Sequence, residues 1–311
     1  MDAFSSDPDY RRGLAAAGTT VFAWSFTGIF VRLLPALCPF FLTGTRLLIA
    51  FSTVTPVLLV SRAKRRSLAR VLLTKRTWGL ASSLVAYYVL AVSAYQYAPV
   101  AEVSVLGATG PLFVLGFKYL RRSEVKRHEA FGALAALVGV LVIFLPNLLN
   151  QHGAGATRLR GHALALSCAF AAAVYAWQYR TAAKESEEEI DPPAVSAVAF
   201  GFGTLVSFTL SPALWTASPE SLLKGPTLLA FLALGIISTA VPSVTYAIAS
   251  QKLPVVVATT SQLLIPVFST VLAAALLREL PSPWLVPGGA LVLLGMASLS
   301  GVLKLRFLRA D

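Results

Sequence analysis

Charge is what this sequence has least of. Asp, Glu, Lys and Arg make up only 13% of its 311 residues, where an ordinary soluble domain carries roughly 25%. A water-facing surface needs more charge than this to cover its core, so a conventional soluble enzyme is excluded. Cysteine is nearly absent too. Cys38 and Cys168 lie in or beside apolar stretches without CxxC spacing, which excludes a disulfide framework or a thiolate zinc site and reads as two bland buried thiols. There are three histidines, His128, His152 and His162, all expected in or beside loops. The sequence contains no HExxH, P-loop or G-x-S-x-G pattern and no paired intramembrane carboxylates, so nothing points to catalysis, ATP use, a metal or a cofactor. The acidic run from Glu185 to Glu189 reads as a solvated loop rather than a metal site.

What the chain has instead is apolar length: 56% hydrophobic residues and a mean hydropathy of +0.72. A hydrocarbon core of about 30 Å takes about 20 apolar residues to cross. Cutting wherever charges or turn residues cluster gives ten stretches, near 13–33, 39–60, 78–97, 99–118, 128–148, 160–180, 193–213, 225–250, 254–277 and 283–304. Pro99 and Pro254 support the two least obvious cuts, because proline suits the first helical turn and disfavours helix in the residue before it. The first stretch has no small-residue cleavage site and reads as a retained span.

The net charge of +12 suggests nucleic acid in a soluble protein and cytoplasmic loops in a membrane protein. Its distribution decides. With ten spans, 20 of the 26 Lys and Arg fall on the side of the termini, five (Arg32, Arg158, Arg160, Lys224 and Arg278) on the other, and Arg46 alone inside a span. The positive-inside rule then puts both termini in the cytoplasm of an inner-membrane protein. The cluster Arg62, Lys64, Arg65, Arg66 reads as a juxtamembrane contact with anionic lipid, not a nucleic-acid site.

Weak self-similarity runs through the chain. A shift of 155 pairs Gln96 with Gln251, Pro99 with Pro254, Pro111 with Pro266 and Phe113 with Phe268. A shift of 156 pairs Arg122 with Arg278, Gly132 with Gly288 and Gly139 with Gly295; one of 148 pairs Gly13 with Gly161, Phe22 with Phe170 and Arg32 with Arg180; one of 154 pairs Pro39 with Pro193. Each half holds five spans, and five is odd, so the halves enter the membrane from opposite faces. The expected fold is an all-α integral membrane protein of ten helices in two inverted five-helix repeats, a plan that places a site between the halves. The expected boundaries are a cytoplasmic tail over 1–12, repeats over 13–148 and 161–304, an external linker over 149–160 and a cytoplasmic tail over 305–311.

Ionisable residues inside hydrocarbon are expensive and head the list of candidates. Arg46 lies about 10 Å and Glu102 about 5 Å below the outer surface at 1.5 Å per residue. Two readings are open: a structural pairing or solvated helix mouth, or a site in which Arg46 takes a substrate carboxylate and Glu102 an ammonium. Ser83, Tyr87, Ala91 and Tyr95 form one stripe of span three, with Tyr88 beside it. Trp24 and Tyr87 lie deep enough to suggest a polar cavity, whereas Trp78, Trp177, Tyr179 and Trp284 suit the interfacial belt. Tyr175 and Tyr246 fall in the cytoplasmic half and stay ambiguous. In span nine, Thr259, Thr260, Ser261 and Gln262 need protein or water around them. Pro266 removes a hydrogen bond to the Gln262 carbonyl, and with its mate Pro111 suggests paired kinks that could serve as gates. The glycine pairs suit close helix packing.

Taken together, the ten spans in two inverted fives, the Trp24-to-Arg32 pattern, Arg46, the proline-bounded spans four and nine and the glycine-rich spans five and ten resemble the EamA family of the drug/metabolite transporter superfamily. Within it the chain most resembles bacterial YddG-type amino-acid exporters. The repeat is imperfect where Ala172 stands opposite Trp24 and Phe200 opposite Arg46. The resemblance implies a carrier that exports small amphipathic metabolites, amino acids including aromatic ones, by alternating access, with protons or a counter-substrate as further partners. The alternatives are a broad drug or nucleotide-sugar transporter of the same superfamily, or a scaffold without flux.

Overall fold

The computed structural model describes residues 8–122, 125–149, 154–185, 191–211, 224–253, 257–258 and 261–299. Thr259 and Thr260, Pro254, residues 186–189 of the acidic run, residues 150–153 of the linker, and the C-terminal tail lie outside these residues. Every described element is a helix. This is what a chain of such low polarity does when its backbone donors and acceptors have no water to bond.

In chain order the helices are α1 (Pro8–Leu33), α2 (Pro39–Leu59), α3 (Arg62–Leu73), α4 (Lys75–Tyr97), α5 (Val100–Leu120), α6 (Arg127–Leu149), α7 (Ala154–Glu185), α8 (Pro192–Thr209), α9 (Gly225–Lys252), α10 (Leu264–Leu277) and α11 (Leu285–Leu299). Eight of them are long and apolar enough to cross a membrane, and α10 and α11 are shorter apolar helices. Helix α3, with five basic residues in 12, is the basic segment read from the sequence as a juxtamembrane contact.

The packing follows the repeat arithmetic. Helix α7 lies against α4 and α5, and its counterpart α1 lies against α9 and α10; α2 packs on α8, and α6 on α11. The glycines make this exact at the level of atoms. A Cβ on Gly132 would sit 2.6 Å from the Gly295 carbonyl oxygen, and one on Gly139 would sit 2.5 Å from that of Gly288. Applying the shift of 156 to the first contact produces the second. In the same way Gly13 abuts Leu253 and Gly161 abuts Ala98, contacts exchanged by the shifts of 148 and 155. Arg122 and Arg278, paired in the sequence, are, among the described residues, the two non-glycine residues with positive φ, at 53° and 55°.

Helices α5 and α10 are both interrupted one turn before their prolines. In α5 the break is at Ala108-Thr109, ahead of Pro111; in the second half Gln262-Leu263 form a turn and Ile265 N–H bonds to the Gln262 carbonyl. The kinks read from Pro111 and Pro266 are therefore breaks, with each proline in the opening turn of a new helix where its missing N–H costs nothing.

The crossing of α6 and α11 yields a stability test. Gly139→Val would push its side chain into the Gly288 carbonyl and should lower stability in detergent by about 1–3 kcal/mol, the usual cost of overpacking. Gly116→Ala, where a Cβ meets nothing within 4 Å, should leave the thermal midpoint unchanged or raise it. Equal midpoints for the two variants would show that this crossing does not hold the halves together.

Candidate functional site

The cation inside span two organises the middle of the molecule. Arg46 comes from α2, is 2% exposed, and has no carboxylate within ion-pair distance among the described residues. Such a charge is tolerated in an apolar interior only if its donors are spent on something. Arg46 Nε–H donates to Thr239 Oγ1, Nη2 donates to the Ser238 carbonyl at 2.9 Å, and the guanidinium lies 4.5 Å from the centre of the Tyr88 ring. That last contact is a cation–π interaction.

The acceptors exist because α9 widens. Ile236–Ala240 form a single π-helical turn, in which the Thr239 hydroxyl donates to the Leu234 carbonyl at 2.8 Å and is free to accept from Arg46. Ser238 Oγ donates in turn to the Ala23 carbonyl of α1 at 3.1 Å. One network thus ties α2, α9 and α1 together, and its one loose end is Arg46 Nη1, a buried donor with no partner. Single π turns recur at functional sites. The adjacent Ser238-Thr239 pair was the sequence signal for this one, and the reading of candidates passed it over.

The aromatic candidates converge on the same region from three helices. Tyr88 is buried, while Tyr87 beside it is partly exposed and meets it edge-on at 5.2 Å. Trp24 of α1 packs at 5.6 Å on Tyr246 of α9. Ser83, further along the α4 stripe, bonds to Gln178 Oε1 at 3.1 Å, and Gln262 sits half-buried at the α10 break. Trp78 and Trp284 are exposed, as belt residues should be.

Glu102 does not join Arg46. The two form no ion pair, and Glu102 is neither solvated nor free to take a substrate ammonium. Its Oε2 lies 2.8 Å from His162 Nε2, with Glu102 2% and His162 0% exposed. His162 was expected in or beside a loop. That expectation fails because α7 begins at Ala154, well before the Arg158 and Arg160 charges taken as loop, so His162 lies in the third turn of a helix. Gly161 then lets α7 approach Ala98 closely enough for the imidazole to reach α5.

Residues assigned to the outer face by the basic-residue count gather in one cleft of about 520 Å³, lined by Arg32, Tyr97, Pro99, Thr157, Arg158, Glu279 and Leu280. Arg32 Nε lies 3.4 Å from Glu279 Oε1. Between them the pair grips the link from α4 to α5: Arg32 Nη2 donates to the Ala98 carbonyl at 2.9 Å, and Glu279 Oε2 accepts from Val100 N–H at 3.0 Å. These are two of the polar groups that Pro99 leaves without helical partners. At the opposite ends of the helices Lys252 pairs with Asp9, and Lys118 with Glu129.

Replacing the acceptor of Arg46 tests the central network. Thr239→Val leaves a charged donor buried without a partner and should cost about 1–3 kcal/mol by thermal unfolding. Thr245→Val should cost less, because Thr20, its 2.7 Å partner, keeps a bond to the Ala16 carbonyl. If Thr245→Val proved the more damaging, the Arg46 network would not be the main polar tie of this region.

With this geometry in hand, comparison with known proteins is informative. A crystal structure 22% identical in sequence superposes with a TM-score of 0.62 over 94% of this chain and 98% of that one, which establishes the fold. No curated protein matches the sequence. The model of the EamA-like transporter family matches twice, over residues 11–145 and 160–301, once for each half defined by the repeat arithmetic. The chain therefore belongs to the EamA-like transporter family, multi-pass membrane transporters of the drug/metabolite transporter superfamily.

Proposed function

We propose that this transporter is a ten-span carrier, folded as two inverted fives with both termini in the cytoplasm, that exports amino acids, aromatic ones included, across the inner membrane by alternating access. The observation that carries this reading is Arg46 Nη1, a buried guanidinium donor without an acceptor beside two tyrosines. A carboxylate is the chemistry that completes it, through a charge-assisted bond stronger than a neutral one. Tyr87, Tyr88, Trp24 and Tyr246 supply ring faces for an amphipathic side chain.

The ammonium end of the substrate falls to the tyrosine hydroxyls and ring faces, since Glu102 is engaged by His162. A nucleotide sugar would call for several buried cations, and among the described residues Arg46 is the one buried Lys or Arg. The breaks before Pro111 and Pro266 are where α5 and α10 can pivot, and the Arg32–Glu279 pair is the outer gate.

Purified protein in liposomes, preloaded with unlabelled aromatic amino acid, should accumulate the labelled one by counterflow. Arg46→Gln should raise the apparent Km by about tenfold, equivalent to about 1.4 kcal/mol of lost binding, with thermal stability retained. Absence of counterflow for every amino acid tried would refute the reading, and an unchanged Km in Arg46→Gln would remove Arg46 from the site.

A further inference from the structure

Building on the carrier reading, we infer that the cleft beside the Arg32–Glu279 pair is a second ligand site, which takes a small amphipathic monocarboxylate and holds that end of the molecule closed. The cleft has a volume of about 520 Å³, within the roughly 300–1,000 Å³ of small-molecule pockets. Its lining shares no residue with the Arg46 network. What marks it is an unbalanced charge. Two guanidiniums, Arg32 and Arg158, line it with a single carboxylate, Glu279, and that carboxylate is already spent. Its Oε1 lies 3.4 Å from Arg32 Nε and its Oε2 accepts from Val100 N–H at 3.0 Å. Arg158 is exposed and, among the described residues, has no carboxylate within ion-pair distance. Arg32 is not fully used either. Its Nη2 donates to the Ala98 carbonyl, while Nε is shut off from water and makes no directed hydrogen bond, the glutamate being only a charge contact.

The charge count selects the ligand. One further negative charge neutralises the cleft, whereas a phosphate dianion beside Glu279 would overshoot. A carboxylate also suits the planar fork of an arginine, along which two parallel bonds can run. The rest of the lining is largely apolar: the Tyr97 ring, Pro99 and Leu280, with Tyr97 41% and Leu280 83% exposed. Together they offer a face to an aromatic or aliphatic side chain next to the carboxylate. The walls come from both halves of the chain. Arg32 and Tyr97 belong to α1 and α4, Arg158 to α7, and Leu280 follows α10. Parting Arg32 from Glu279 dismantles this lining. A ligand favours the state that it fits, so a carboxylate bound here opposes that parting and slows the carrier.

The test uses 3-phenylpropanoate, an aromatic carboxylate without an ammonium group, on the purified full-length protein. Calorimetric titration of Arg46→Gln, which lacks the central guanidinium, should show a single saturable site. Adding Arg158→Gln should weaken that site about tenfold or more, the loss of one bond to a charged group. 3-Phenylpropanamide, of the same shape but neutral, should not bind. In liposomes 3-phenylpropanoate should lower the counterflow rate of the wild-type protein severalfold even at saturating substrate, and Arg158→Gln should restore it. No binding to Arg46→Gln, binding indifferent to Arg158→Gln, or equal binding of inorganic phosphate would overturn the carboxylate site. Inhibition that saturating substrate relieves would place the ligand at the centre and overturn the closing role. Absence of counterflow for every amino acid would instead remove the carrier reading, and the titration would still decide the site.

Discussion

In hydrocarbon each backbone N–H and C=O has to be bonded within the protein, and every other feature of this structure is shaped by that demand. Continuous helices meet it automatically. Wherever a helix is interrupted, some side chain or shifted backbone bond must take up the groups set free. The structure answers each interruption in kind. At Ala98–Val100 the carbonyl and the N–H go to Arg32 and Glu279; at Ala108–Thr109 the Thr109 hydroxyl closes on the Leu106 carbonyl; at Gln262 the carbonyl accepts Ile265. In the π turn of α9 the Ser238 carbonyl accepts from Arg46. Charged residues are scarce in this chain, and several of the buried polar ones (Ser25, Thr27, Glu102, Thr109, Ser238 and Thr239) sit at or beside interrupted or widened backbone.

This clustering explains why the symmetry of the scaffold and the asymmetry of the site coexist. Close packing requires only small residues at matching positions, so Gly132 and Gly295 recur as Gly139 and Gly288, and Gly13 recurs as Gly161. Charge is different, because a second buried guanidinium would need a second set of acceptors. Phe200, which stands where a mate of Arg46 would be, is 1% exposed and packs on Tyr88 at 6.3 Å. It puts carbon at the position that in the other half holds a cation, and the Tyr88 ring contacts both. The repeat builds the frame, and its single departures build the site.

The frame was legible in the sequence because its determinants are local and repeated: lengths of apolar run, proline at helix starts, glycine where helices touch. Spans two, three and seven begin in the structure within three residues of where the sequence puts them. The site was half legible. Arg46 stood out by depth and type, Tyr88 only as a neighbour of the Tyr87 stripe, and the two meet. Glu102 stood out by the same criteria, but its partner did not, because Arg158 and Arg160 marked as loop what is the start of a helix. No depth count could reveal that Gly161 draws α7 onto Ala98. The π turn was marked only by the adjacent hydroxyls of Ser238 and Thr239: it meets a cation 193 residues away in sequence, and hydrophobic periodicity carries no trace of such a bond.

The ion pairs at the two ends of the bundle are unequal, and this bears on which way the molecule yields. Lys252 and Asp9 are 30% and 63% exposed, a setting in which an ion pair is worth from nothing to about 1 kcal/mol. Arg32 and Glu279 are 30% and 26% exposed and also bond the backbone on both sides of Pro99. Parting the helices at the Arg32–Glu279 end therefore breaks an ion pair and strands two backbone groups that have no helical partner, each costly when left unmet. Parting Lys252 from Asp9 at the other end releases exposed groups to water at small cost. Both ends have the same glycine seat, Gly13 on Leu253 and Gly161 on Ala98, so packing does not distinguish them. The polar ties do, and they make the Arg32–Glu279 end the firmer of the two.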